Sequence, residues 1–177
     1  LLWLCWAGWL AWEGRQHRRR LARLRLRVHV NGTRGKSGVT RLIAAGLRAG
    51  GYRGLGKGPG SAAKWIEPDG TERAIPRHGL PNIRELIRTV KEASRCRADA
   101  LVCECMALQP ELQQFSERRL VQSHIGVITN VRHDHEEIMG SGLPTIAASL
   151  ARTAPMNGLL VITAETAALL GDGIIDR

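Results

Sequence analysis

The chain has 177 residues, of which 44% are hydrophobic and 24% charged, and its formal net charge is +10. This length suits one domain with a short appendage. The ordinary apolar content excludes collagen-like and disordered classes of protein, and four cysteines are too few for a disulfide-based scaffold. Seven arginines between residues 13 and 27 supply most of the charge, and only one Tyr and one Phe are present, so no nucleic-acid partner is expected.

The first predicted element is a membrane anchor. Residues 1–12 are continuously apolar and contain four tryptophans three positions apart, and the arginine-rich residues follow directly. Trp at the lipid–water boundary with Arg just beyond it is typical of an anchor with a cytoplasmic flank. Twelve helical residues span about 18 Å, less than a bilayer core, so the segment is interpreted as the inner end of a single transmembrane helix if further residues precede it.

The order of these residues argues against two alternatives. A signal peptide carries its charges before the apolar run, and a buried core helix would not change from Trp-rich to Arg-rich. Residues 1–25 are therefore predicted to be the anchor and its basic flank at the cell membrane, and residues 26–177 a separate cytoplasmic domain.

Strand and helix patterns alternate after the anchor. Apolar residues that alternate or run continuously predict strands at 24–30, 52–57, 100–105, 125–131 and 158–163. Helical spacing predicts helices at 39–47, 83–94, 110–121, 144–154 and 164–170, with a turn at 58–61 and a hairpin at 62–76 that turns at 68–70. The short connections between these elements predict an α/β fold in which helices wrap a parallel sheet.

A phosphate-binding loop is predicted between the first strand and the first helix, where residues 31–37 read Asn-Gly-Thr-Arg-Gly-Lys-Ser. Glycines allow backbone N–H groups to curl around a phosphate chain, and the amino end of the following helix adds positive potential. Lys36 would reach the β- and γ-phosphates, and the Ser37 hydroxyl would bind Mg²⁺. The strict pattern has Gly where this chain has Val30, but the flanking strand and helix favour a nucleotide site over a glycine-rich turn with a surface lysine.

Glu104 is the second chemical signal. It lies within the apolar run 101–106, at the predicted end of a buried strand. A lone carboxylate there is costly unless it meets a cation, and ligand sites lie at the carboxyl ends of parallel strands. We therefore interpret Glu104 as an Mg²⁺ ligand, direct or through water, with a structural salt bridge as the alternative.

A third polar group follows the strand predicted at 125–131. Residues 129–137 read Thr-Asn-Val-Arg-His-Asp-His-Glu-Glu, which suggests metal or nucleotide handling. The alternating pair His133 and His135 does not by itself define a zinc site, and Mg²⁺ prefers oxygen ligands.

Together these motifs resemble the ATP-binding core of the Mur-ligase superfamily. The matching parts are residues 31–37 after a strand, Glu104 in Cys-Glu-Cys-Met-Ala, and Ile-Thr-Asn-Val at 128–131 before Asp134-His135. That superfamily lacks the first glycine of the strict loop pattern. Within it, the chain resembles the family of poly-γ-glutamate synthase ligase subunits, with further similarity in the N-terminal apolar segment and at residues 39–42, 81–83 and 139–140.

The resemblance implies a Mur-ligase central ATPase domain of the P-loop type at residues 26–177, without the C-terminal domain that relatives carry. It implies ATP and Mg²⁺ as cofactors, and glutamate, a growing poly-γ-glutamate chain and polytopic membrane subunits of a synthase as partners. ATP would phosphorylate a γ-carboxylate, and a glutamate amine would attack the acyl phosphate to form an amide.

The resemblance also implies a role for each matching residue. Lys36, Glu104 and His135 would be catalytic, with Lys36 on the phosphates. Ser37, Glu104 and His135 would face magnesium, and Asp134 would orient His135 or the nucleotide. The predicted nucleotide-binding residues are Asn31, Gly32, Thr33, Arg34, Gly35, Lys36, Ser37, Gly38, Asn130 and Asp134.

The chain also departs from the family pattern. Gly38 stands where the family usually has Thr, residues 57–60 replace a Thr-rich loop, and no Lys follows Lys91, so a carbamylated lysine after Asp134-His135 is not present in this sequence. Without the C-terminal domain, nucleotide binding without ligation is one expectation for this segment alone. Two alternatives remain: another Mur-like ligase acting on a peptidoglycan precursor or folate, and a non-catalytic nucleotide-binding module of a membrane assembly.

Overall fold

Strands and helices alternate through most of the computed structural model, which describes residues 2–58, 63–76 and 82–171. In chain order the elements are α1 (Leu2–Ala22), β1 (Leu26–Asn31), α2 (Lys36–Ala49), β2 (Gly54–Lys57), β3 (Lys64–Ile66), β4 (Glu72–Ala74), α3 (Glu85–Arg95), β5 (Ala100–Glu104), α4 (Pro110–Phe115), a π-helix (Ser116–Val121), β6 (Ile125–Ile128), α5 (Glu136–Met139), α6 (Leu143–Leu150), a 3-10 helix (Ala151–Thr153), β7 (Leu159–Ile162) and α7 (Ala164–Leu170).

The described strands form one sheet in the order β4-β3-β2-β5-β1-β6-β7. Neighbours from β2 to β7 pair in parallel, whereas β3 pairs antiparallel with both β2 and β4. The predicted parallel α/β sheet is confirmed, and the hairpin predicted at 62–76 adds an antiparallel edge to it. The carboxyl ends of β5, β1 and β6 are adjacent at the centre of the sheet, which is where ligand sites form in such folds.

Helices cover both faces of the sheet. Val28, Val30 and Val102 face α2 and cluster with its Ala44, whereas Leu101 belongs to a second cluster formed with α3 and the π-helix. Burial on both faces explains why β5 reads as a continuous apolar run rather than an alternating one.

Several element boundaries differ from the sequence prediction. The helix predicted at 39–47 begins at Lys36, because its first turn is part of the glycine-rich loop and carries no apolar repeat. The helix predicted at 110–121 changes to a π-helix at Ser116, and the strand predicted at 125–131 ends at Ile128. The helix α5 has no predicted counterpart, and most of the turn predicted at 58–61 lies outside the described residues.

The apolar N-terminal residues and part of the arginine-rich flank form one continuous helix, α1. Its first half is exposed, with Trp3, Trp6, Trp9 and Trp12 each more than half accessible to solvent, and its second half is anchored where His17 Nε2 donates to the Leu120 carbonyl at 2.9 Å. None of the helices within the described ranges is both long enough and apolar enough to cross a bilayer. The predicted single span is therefore not found there, since the apolar residues of α1 give way to Glu13 and Arg15.

Candidate functional site

The candidate site begins with the loop between β1 and α2. Gly32 and Gly35 both have φ in the left-handed region, +130° and +80°, which only glycine adopts without strain. A Cβ at Gly32 would collide with the Thr129 hydroxyl and lie 2.9 Å from the Thr129 nitrogen. The loop therefore curls tightly against the chain that leaves β6, and α2 begins directly after it at Lys36.

Residues 129 and 130 hold this loop from the side. The Thr33 and Arg34 amides donate to the Asn130 backbone oxygen and Oδ1, each at 3.1 Å, and Asn130 Nδ2 donates to the Arg34 carbonyl at 3.0 Å. The Thr129 hydroxyl donates to the same carbonyl at 2.6 Å. Asn130, predicted to bind nucleotide, thus contacts the loop itself. The strand predicted at 125–131 stops early because, after the Thr129 amide donates to Asn31 at the end of β1, the next contacts are made to this loop.

Lys36 folds back over the loop that precedes it. Its Nζ donates to the carbonyl oxygens of Gly32 and Thr33 at 2.6 and 3.4 Å. The ammonium group is therefore held against the loop backbone by neutral acceptors that an anion could replace.

Ser37 and Glu104 meet at the mouth of the loop. The Ser37 hydroxyl donates to Glu104 Oε2 at 2.9 Å, and Glu104 is 6% exposed at the end of β5. Within the described ranges no Lys, Arg or His forms an ion pair with this carboxylate. A nearly buried carboxylate with one neutral donor is incompletely compensated, and its oxygens together with the hydroxyl match the donor set that Mg²⁺ prefers.

His135 lies apart from this pair. Its Nε2 is 3.7 Å from Asp134 Oδ1, its Nδ1 is 3.4 Å from Glu137 Oε1, and it makes no hydrogen bond or ion pair with Ser37 or Glu104. Asp134 also pairs with Arg34 at 3.1 Å, which connects this segment to the loop. Of the three predicted magnesium residues the structure thus brings two together. Within the described chain, no group of three or more His, Cys, Asp and Glu residues is arranged to hold a metal ion.

Asn31, also predicted to bind nucleotide, directs its side chain away from the loop. It is 2% exposed, and Nδ2 donates to Gln113 Oε1 at 2.8 Å. Gln113 has no distinguishing sequence signal, because a polar residue on a short amphipathic helix does not indicate that it is buried.

Two buried ion pairs also lack a clear sequence signal. Lys57 is fully buried at the end of β2, with Nζ 3.6 Å from Glu85 Oε2. His29 Nδ1 is 2.8 Å from Glu117 Oε2, and both side chains are almost completely buried. Burial lowers the pKa of His29, but its interactions with the Cys105 thiol and the Glu117 carboxylate outweigh burial and raise the pKa to about 9.

Comparison with known proteins defines the family. Residues 30–169 match the model of the Mur ligase middle domain, so the chain belongs to that family. It is 43% identical over 152 residues to "Capsule biosynthesis protein CapB" of Bacillus anthracis and 42% identical over 155 residues to "PGA synthase CapB" of Bacillus subtilis (strain 168). The alignments cover 85% of this chain but 33% and 39% of those relatives, so the chain spans well under half of their length.

Solved structures support the fold. The structure titled "E.coli FolC in complex with ADP, without folate substrate" superposes with a TM-score of 0.62 at 15% identity, covering 88% of this chain and 44% of the other. The "FPGS-AMPPCP-folate complex" gives a TM-score of 0.58 at 19% identity, covering 89% and 45%. At these identities the similarity establishes a shared fold.

Proposed function

We propose that this chain is the ATP-binding part of an ATP-dependent ligase that makes amide bonds in poly-γ-glutamate synthesis. The names of the two relatives, a capsule biosynthesis protein and a PGA synthase, support the pathway. The family match and the nucleotide complexes among the structural neighbours support ATP as the energy source.

One observation carries this proposal. The buried Glu104 carboxylate accepts a hydrogen bond from the Ser37 hydroxyl, beside a glycine-rich loop whose Lys36 contacts the loop backbone. Ser37 and Glu104 would hold Mg²⁺, which when bound would neutralise phosphate charge. By resemblance His135 would also face the ion. Because His135 pairs with Asp134 and Glu137 in the structure, that role requires His135 to give up these contacts.

The remaining site residues would bind and orient the nucleotide. Lys36 would exchange the Gly32 and Thr33 carbonyls for the β- and γ-phosphate oxygens, and backbone N–H groups at 35–38 would surround the phosphates, since those of Thr33 and Arg34 donate to Asn130. The γ-phosphoryl group would pass to a glutamate γ-carboxylate, giving an acyl phosphate and ADP. The amine of a second glutamate would then attack the acyl carbon, lose a proton and expel phosphate, so the protein contributes positioning and charge neutralisation.

We further propose that the protein works at the cytoplasmic face of the cell membrane, beside polytopic membrane subunits of a synthase. The exposed tryptophans of α1 and the arginines that follow them support contact with a bilayer. Protease added to intact cells should leave residues beyond 27 uncut. Cleavage there without permeabilisation would contradict the cytoplasmic location.

Product analysis tests the ligase. The full-length protein, given glutamate, ATP and Mg²⁺, should form a γ-linked polymer together with ADP and phosphate. Lys36→Ala should abolish the polymer without unfolding the protein, whereas the matched variant Lys64→Ala removes an exposed lysine that pairs with Glu72 and should remain active. Near-normal turnover in Lys36→Ala would refute the assignment. Nucleotide binding without any polymer from wild type would favour the non-catalytic module.

A further inference from the structure

Two buried side-chain amides lie beneath the phosphate-binding loop. Asn31 is 2% exposed at the end of β1, and Gln113 is fully buried in α4. Asn31 Nδ2 donates to Gln113 Oε1 at 2.8 Å, and it also lies 3.2 Å from Thr153 Oγ1 and 3.3 Å from the Leu150 carbonyl oxygen. These contacts point to the helices on the face opposite α2 and away from any ligand in the loop.

The orientation of both amides follows from their partners. Asn31 Nδ2 faces the Leu150 carbonyl, and Gln113 Nε2 faces the Leu108 carbonyl at 2.8 Å. Because a carbonyl oxygen can only accept, the nitrogen of each amide must point toward it, and Gln113 Oε1 is left to accept from Asn31. Replacing Asn31 with an apolar residue would therefore leave a buried acceptor without its donor.

These bonds join three segments that build the candidate site. Asn31 directly precedes Gly32 of the loop. Leu108 belongs to the segment that follows Glu104, and Gln113 Nε2 also lies 3.2 Å from Ser149 Oγ in α6, a helix of eight residues that follows the 133–137 segment. The two amides thus couple the positions of the loop, the Glu104 strand end and α6.

The loop has little freedom to absorb a shift of Asn31. The Asn31 carbonyl accepts from the Thr129 amide at 2.9 Å, and the next residue, Gly32, approaches Thr129 so closely that a Cβ would not fit. A displacement of Asn31 by a fraction of an ångström would therefore be transmitted to the loop.

We propose that Asn31 and Gln113 are positioning residues, which set the loop and the Glu104 strand end in the relative arrangement that binds Mg·nucleotide. This inference rests on the proposed nucleotide site. It assigns to the Asn31 side chain an indirect role rather than contact with nucleotide, and it adds Gln113 to the residues that the ligase needs.

Calorimetric titration of the full-length protein with Mg·ATP, well below every melting temperature, tests the proposal. Asn31→Ala should bind at least about fivefold more weakly than wild type. The control Val90→Ala truncates a buried side chain in α3, in a core cluster that contains no residue of the loop or of α6, and it should lose stability yet bind within about twofold of wild type. If Asn31→Ala does not fold, Thr153→Val can replace it, because this variant removes one acceptor of the Asn31 amide at nearly constant shape. Its Mg·ATP affinity is then compared with that of Val90→Ala.

Each result has one meaning. Weak binding by Asn31→Ala with normal binding by Val90→Ala supports positioning. Equal losses in both variants, or no loss in Asn31→Ala, overturn it, because lost stability then accounts for the effect or the amides are not needed. If wild type itself does not bind Mg·ATP, the proposed function fails, and this inference fails with it.

Discussion

Glu104→Gln separates a metal-site carboxylate from a structural one. The substitution keeps size and the ability to accept the Ser37 hydroxyl at Oε1, and it removes the negative charge. Glu104 is 6% exposed, and in the described chain no basic side chain forms an ion pair with it. Arg41 interacts with this carboxylate only through longer-range electrostatics, so a bound cation would compensate the buried charge more fully.

The structure allows the magnitudes to be compared. Burying a carboxylate costs several kcal/mol, whereas making the hydrogen bond from Ser37 a neutral one forfeits about 1 kcal/mol. We expect the ligand-free melting temperature of Glu104→Gln to be unchanged or raised, by about 2–4 °C for each kcal/mol gained. Binding of Mg·ATP should weaken at least about tenfold, which corresponds to about 1.4 kcal/mol.

Melting temperatures measured with and without Mg·ATP give the answer. Glu72→Gln is the matched control, because Glu72 lies on the exposed hairpin, where it pairs with Arg41 and Lys64, and its loss should not change the nucleotide-dependent shift. If Glu104→Gln shows the same nucleotide-dependent rise as wild type, Glu104 is not a metal-site residue. Lower ligand-free stability with intact Mg²⁺ dependence would instead indicate a structural role.

Two further predictions concern the loop and the strand beneath it. Gly32→Ala places a Cβ against Thr129 at a left-handed φ, so it should lower the free energy of unfolding by about 1–3 kcal/mol and weaken Mg·ATP binding. The control Gly46→Ala in α2, where a Cβ meets nothing, should raise the free energy of unfolding. Urea unfolding compares the two variants, and equal stabilities would contradict the geometry. Because the pKa of His29 is raised to about 9 in the folded protein, its contribution to stability is complete below about pH 6.5 and is lost as the pH rises through about 9. The free energy of unfolding, measured across this pH range, should therefore fall in wild type and fall less in His29→Gln.

The sequence predicted the sheet and the loop because each has a local pattern. The apolar run 101–106 could be buried on both faces only within a parallel sheet, and the glycines at 32 and 35 mark backbone that other residues cannot adopt. The placement of Glu104 beside the loop followed from topology, since the ends of adjacent parallel strands meet at one edge of the sheet.

Other parts of the site have no local pattern. Gln113 and Glu117 are polar residues on a helix, and their burial depends on which side of the sheet that helix packs against. The π-helix that contains Glu117 adds a residue per turn, which no apolar periodicity signals. His135 was assigned by resemblance alone, and its position relative to Glu104 depends on a short helix, α5, that the sequence did not predict.

The site is divided between a rigid part and a part that must adjust. The loop is held by Asn130, Thr129 and the buried amides below it, so the positions of its N–H groups are fixed before nucleotide arrives. The charged groups are held more weakly. Lys36 is hydrogen-bonded to neutral carbonyls, and Arg34 is largely exposed where it pairs with Asp134. Binding of a polyphosphate would replace these weak pairings with stronger ones, so the electrostatic gain is retained for the ligand while the backbone needs little reorganisation.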